Sequence, residues 1–179
     1  EMYYGETPAI EETLGWKYAS DSGINSEADP LYQFVAGDGV TIATFTYATT
    51  ATSTSDKGTY NTSINANASL TNYSVTYLPG EMTVKARPIR VTIADQESEY
   101  GYDKLIEPTA TAAATEESGL TVGIVNEDEN VYSLSVDWKG YGGETTNKPV
   151  GTYTISGKAL DENYEIVEFV DAIYTVKVR

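Results

Sequence analysis

Short sequence words return in the same order along this chain, and they constrain its fold more than any other feature. Gly58-Thr59-Tyr60 returns as Gly151-Thr152-Tyr153, 93 positions on. Val84-Lys85-Ala86-Arg87 returns as Val176-Lys177-Val178-Arg179 at a spacing of 92, and Tyr4-Gly5 returns as Tyr100-Gly101 at 96. Leu70-Thr71-Asn72-Tyr73 has its counterpart in Leu160-Asp161-Glu162-Asn163-Tyr164. Four marks in one order at almost one spacing define a unit of roughly 92 residues present twice. Residues 1–87 are expected to form the first module and 88–179 the second. Each must close its own core at a size where little over ~60% of the unfolded surface is buried.

The two copies are out of phase with the ends of the chain. Ahead of Tyr100-Gly101 lies Ile89-Arg90-Val91-Thr92-Ile93, with Ile89, Val91 and Ile93 on one strand face. Ahead of Tyr4-Gly5 stand only three residues. The first module is therefore expected to lack its opening strand, the chain to be a piece of a longer protein, and the sheet left behind to present an unpaired edge. At the junction, Pro88 fixes its own φ and biases Arg87 to extended backbone. With almost no slack there, the two modules are expected end to end as a stiff rod.

Period-two alternation marks the other strands. In the first copy the runs are Ile10-Leu14-Trp16-Tyr18, then Val40-Ile42 passing through a bulge into Ala43-Phe45-Tyr47. They continue with Tyr60-Thr62-Ile64, Tyr73-Val75-Tyr77 and Met82-Val84. In the second they are Ala110-Ala112-Ala114, Leu120-Val122-Ile124, Tyr132-Leu134-Val136-Trp138, Tyr153-Ile155, Tyr164-Ile166 and Tyr174-Val176-Val178. Two stretches stay open to short helices: Ala-rich 108–118, and 10–19 with its partly helical spacing. With 24 Thr and 15 Tyr against 8 Leu, the balance favours strand. The expected fold is mostly β, as two small β-sheet modules, with Ig-like β-sandwiches as the alternative.

Composition removes whole classes of chemistry. The 179 residues include no Cys and no His. That excludes Ser-His-Asp and Cys-His catalysis, His/Cys zinc sites, disulfides and thiol switches. With 27 acids against 11 bases the net charge is −16, which opposes binding to nucleic acid or an anionic membrane. Both halves carry the surplus, −6 over 1–87 and −10 over 88–179. No apolar run approaches the ~20 residues of a membrane span.

The ordered set of marks resembles the MBG domain of the YGX type. The residues that carry the resemblance are Tyr4-Gly5, Gly58-Thr59-Tyr60, Asn72-Tyr73 and Thr83-Val84. Their second appearance is Tyr100-Gly101, Gly151-Thr152-Tyr153, Asn163-Tyr164 and Thr175-Val176. The resemblance implies a mostly-β, β-grasp-like module, repeated in tandem in large bacterial surface proteins, and it brings no catalytic residues. The middle of each copy, 20–40 and 116–130, is longer and more acidic than the family pattern. Physical chemistry gives the motif residues structural work. Gly58 and Gly151 suit a turn or bulge that sets register. Tyr60 and Tyr153 point inward and need hydroxyl partners.

Few side chains suggest more than structure. Asp21, Asn25, Glu27 and Asp29, and then Asn126-Glu127-Asp128-Glu129-Asn130, offer oxygens to calcium, with Glu127, Asp128 and Glu129 the first choice. Calcium wants six to eight oxygens, usually from several segments, so the plain reading is solvated acidic loops and no cofactor. Trp138-Lys139-Gly140-Tyr141-Gly142-Gly143 places two aromatics beside flexible backbone. Trp138 and Tyr141 could contact a sugar face, or the stretch is simply a wide hairpin turn. With 27 acids, some pair at the ~5–9 Å of a glycosidase is certain and carries no information. A Lys–Asn crosslink would have Lys85 or Lys177 as donor.

These features together point to a non-enzyme: repeat modules of a bacterial cell-surface protein, extracellular, serving as spacer or adhesin stalk. Its partners would be neighbouring repeats, with no nucleic acid and no membrane insertion. The alternative is a ligand-binding module for a glycan or a host protein. A third reading is an accessory domain of a secreted carbohydrate-active enzyme.

Overall fold

The computed structural model describes residues 1–10, 45–66, 71–73, 76–101, 105–141 and 148–179. The chain divides into two compact units. One comprises Glu1–Met2 and Glu6–Val84, the other Tyr3–Gly5 and Lys85–Arg179. The described residues are mostly β and contain no α-helix.

The first four strands are β1 (Met2–Tyr3), β2 (Phe45–Thr49), β3 (Gly58–Ala66) and β4 (Glu81–Lys85). They form one sheet in the order β1-β4-β3-β2. Alternation decides which side is dry: Met82 and Val84 of β4 are buried, and their neighbours are not. β4 gives way after Ala86 to β5 (Arg87–Ile93), followed by β6 (Gln96–Glu99), β7 (Ala110–Ala114) and β8 (Tyr132–Asp137). The last three strands are β9 (Gly151–Ala159), β10 (Tyr164–Val170) and β11 (Ala172–Lys177).

The second unit holds two sheets, ordered β10-β5-β7 and β6-β11-β9-β8. β5 is central, parallel to β10 and antiparallel to β7, and Ile89 and Val91 are fully buried in it. Pro88 is tolerated in this central strand because β7 begins to pair only at Ile89, so the missing N–H costs no ladder bond there. Ile93 of β5 joins Tyr153, Ile155, Ala172, Tyr174 and Val176 of the other sheet in one core. Phe169 of β10 and Trp138 pack against it. Two sheets sharing a core make a small-sheet module compatible with a sandwich.

The two four-stranded sheets match residue for residue where the sequence words recur. Gly58 pairs Val84, Thr59 pairs Thr83 and Tyr60 pairs Met82. Gly151 pairs Val176, Thr152 pairs Thr175 and Tyr153 pairs Tyr174. The glycine that opens each long strand thus stands opposite the valine of the closing strand in both.

Two expectations change, and one choice left open is decided. Residues 108–118, open to a short helix, follow the Ala110-Ala112-Ala114 alternation instead: Ala110–Ala114 is strand β7, followed by a single 3-10 turn at Glu116–Ser118. The loop that follows packs its backbone on β7, since a Cβ at Gly123 would stand 2.6 Å from the Ala112 carbonyl oxygen. The antiparallel ladder with β5 overrides the helix preference of alanine. Leu120-Val122-Ile124 is not a strand. Gly119 turns the chain with φ +69°, and the Val122 and Gly123 carbonyls are taken by a buried arginine rather than by a ladder. Tyr73 and Tyr77 also lie outside any strand. Their counterpart in the second unit, β10, is held in a sheet by its pairing with β5. The runs at 10–19 beyond Ile10, at 40–43 and at Val75 lie outside the described residues, as do the acids at 21–29.

Candidate functional site

Strand β8 delivers Trp138 to the edge of the core, and a tight turn follows. Lys139 and Gly140 have φ +52° and +83°, and the Tyr141 N–H donates to the Trp138 carbonyl at 3.0 Å. Two left-handed residues inside such a bond are the signature of a type I′ β-turn. The Asp137 carboxylate accepts the Lys139 N–H at 2.9 Å and props it. The Trp138 ring lies 4.9 Å from Tyr153 and 5.0 Å from Tyr174, centroid to centroid, with the Lys148 ammonium 5.3 Å from its centre. Lys148 is only 2% exposed and donates to the Tyr141 carbonyl at 2.6 Å. Trp138 is therefore half-buried and engaged by two tyrosines and a cation. Tyr141 stays 53% exposed. Residues 142–147, with the two glycines of this loop, lie outside the described residues.

The acidic loop is also committed to structure at its centre. Asn126, Glu127 and Asn130 have positive φ, and the Asp128 N–H donates to the Val125 carbonyl at 3.0 Å. The Asp128 carboxylate accepts the Tyr164 hydroxyl proton at 2.6 Å, while the Val125 N–H donates to the same hydroxyl oxygen at 3.1 Å. Tyr4 packs edge-on against Tyr164, 5.5 Å between ring centres. Burial, reinforced by the bond to Asp128, holds the Tyr164 phenol protonated well above its ordinary range, and burial raises Tyr4 as well. Glu127 and Glu129 do not join Asp128 in a cation cage: no group of three or more acidic, His or Cys side chains converges among the described residues.

The motif residues sit where they hold backbone. Tyr60 donates its hydroxyl proton to the Asp56 carbonyl and Tyr153 to the Pro149 carbonyl, each at 2.7 Å and each four residues back. Gly58 and Gly151 open their strands opposite Val84 and Val176. Gly5 and Gly101 are left-handed, at φ +87° and +77°. Tyr73 is half-buried outside any strand, and Tyr100 is 47% exposed at the end of β6. Lys85 and Lys177 are exposed, Lys177 paired with Glu97 at 2.5 Å, so neither lies in the core that a Lys–Asn crosslink requires.

Sequence reasoning missed Arg87. It is 4% exposed, and backbone carbonyls hold its guanidinium. Nη2 donates to Val122 at 2.6 Å, Nε to Gly123 at 2.8 Å and Nη1 to Tyr4 at 3.0 Å. A planar fork with five N–H groups can satisfy several carbonyls at once, which an ammonium cannot. The one available signal was the recurrence of arginine two residues beyond each closing strand, at 87 and 179.

Fold and site together define a small, mostly-β module whose recurring residues serve backbone geometry. Residues 2–83 match the family model of the MBG domain, YGX type, and that stretch is an MBG domain. Neither a curated protein nor a solved structure matches the chain. Among the described residues no helix is long and apolar enough to cross a membrane.

Proposed function

We propose that the chain is a pair of non-catalytic repeat modules of a bacterial cell-surface protein, acting as spacer or adhesin stalk outside the cell. MBG domains are repeat modules and are not known as catalysts. The observation that carries the reading is the use of the motif residues. Gly58 and Gly151, Tyr60 and Tyr153, and Tyr4 and Tyr164 are all spent on register, hydroxyl-to-backbone bonds and ring packing. Side chains spent on structure leave little for ligand chemistry, and an acidic surface on both halves discourages side-by-side association at low salt.

The rival reading, a glycan- or host-protein-binding module, depends on Tyr141 and its loop. Glycan arrays and immobilised host matrix proteins are expected to show no saturable binding to the chain. Small-angle scattering is expected to give an elongated profile. Saturable glycan binding that disappears in Tyr141→Ala, with the melting temperature unchanged, would replace the stalk reading by the binding one.

A further inference from the structure

Tyr4-Gly5 and Tyr100-Gly101 are one backbone device used twice. In each, the tyrosine N–H donates to a lysine carbonyl at the end of a closing strand: Tyr4 to Lys85 at 2.9 Å, Tyr100 to Lys177 at 2.8 Å. In each, the following glycine is left-handed. In each, an arginine stands two residues past that closing strand, Arg87 after β4 and Arg179 after β11.

Their surroundings differ. Tyr4 is 6% exposed: its ring lies on Tyr164 and its carbonyl accepts from Arg87. Gly5 lies so close to the Val125 side chain that a Cβ there would collide with it. Arg87 reaches the Val122 and Gly123 carbonyls with the rest of its fork. Tyr100, by contrast, is 47% exposed, and Arg179 is exposed as well.

We propose that Tyr100, Gly101 and Arg179 form a docking surface for another copy of this module. The copy would cover them with its own equivalents of Val122, Gly123, Val125 and Tyr164. The surface asks its partner for three things at fixed spacing. It needs two free backbone carbonyls for a guanidinium, a branched aliphatic against a bare glycine Cα, and an aromatic edge for a tyrosine ring. The second unit already supplies all three to Tyr4, Gly5 and Arg87. A copy of it therefore fits by the contacts observed, with a buried aromatic and an arginine as anchors. The proposal deepens the spacer reading by naming what the surface receives. It stands on repeat geometry, so glycan binding found elsewhere on the chain would leave it intact.

The test is a chain in which residues 88–179 are repeated directly after Arg179, compared with the 179-residue chain by peptide-resolved tyrosine iodination. In the 179-residue chain Tyr100 is expected to react and Tyr4 to be protected. In the extended chain Tyr100 is expected to fall several-fold, to the level of Tyr4, with the added equivalents of Tyr153 and Tyr174 protected as evidence that the copy is folded. Arg179→Ala is expected to restore Tyr100 reactivity in the extended chain and to change nothing in the shorter one. Arg87→Ala, the internal control, is expected to expose Tyr4. An added copy that is unfolded, or one that is folded while Tyr100 reacts as before, overturns the proposal.

Discussion

Arg87 donates from Nη1 to the carbonyl oxygen of Tyr4 at 3.0 Å, joining residues 83 positions apart in a buried bond. The same guanidinium satisfies Val122 and Gly123, so one side chain fixes a strand start, a loop and the Tyr3–Gly5 segment. Truncating it would leave buried carbonyls without donors, each at about 1–3 kcal/mol. Arg87→Ala is expected to cost about 3 kcal/mol or more in urea unfolding. Arg87→Lys should recover only part, because an ammonium lacks the fork. Equal stability of Lys and Arg at this position would mean that the charge, not the geometry, matters.

The paired tyrosines should differ in worth. Tyr153 is 4% exposed and packs on Trp138, whereas Tyr60 is half-buried. Tyr153→Ala is expected to lose about 3–5 kcal/mol, and Tyr60→Ala clearly less. Tyr→Phe at either position removes only the bond to the carbonyl four residues back, worth about 1 kcal/mol. Thermal melts of the four variants rank them. A Tyr60→Ala cost equal to that of Tyr153→Ala would contradict the difference in burial.

Alkaline pH should loosen the second unit. Tyr164 and Tyr4 hold their protons above the ordinary phenol value of 10.0, at which the unfolded chain releases them. The stability they contribute is complete below that pH and is lost as pH rises from there toward the raised folded values. The urea midpoint is expected to be level between about pH 7 and 9 and to fall above about 10. Tyr164→Phe should lower stability at neutral pH, since Asp128 loses its donor, yet flatten the alkaline fall. Parallel falls in both proteins would remove Tyr164 as a source; part of the fall remains in any case, because burial raises Tyr153 too.

Gly157 of β9 lies directly against the Phe169 side chain of β10. A Cβ there would collide with the ring of Phe169, which itself packs edge-on against Tyr132 at 6.4 Å. Gly157→Val is expected to destabilise by about 1–3 kcal/mol through overpacking. The double variant Gly157→Val, Phe169→Leu should cost less than the two single changes added together. Simple additivity would show that the ring moves aside freely.

The sequence by itself determined the strands and their repetition. Alternation placed Ile89, Val91, Ile93, Tyr153, Ile155, Tyr174 and Val176 inward, and all seven are buried, because a side-chain period of two allows one dry face per strand. The duplicated words marked the same register twice, glycine opposite valine, since register follows from which face is buried. Only the tertiary structure decided the rest. Gly123 must lack a side chain because its backbone lies against the Ala112 carbonyl of β7. Residues 120–124 are irregular because their carbonyls serve Arg87. Asp128 is the partner of a phenol because Tyr164 reaches it from 36 residues away. Each of these depends on a contact distant in sequence, and local propensity carries no information about which distant group will come to meet a carbonyl or a carboxylate.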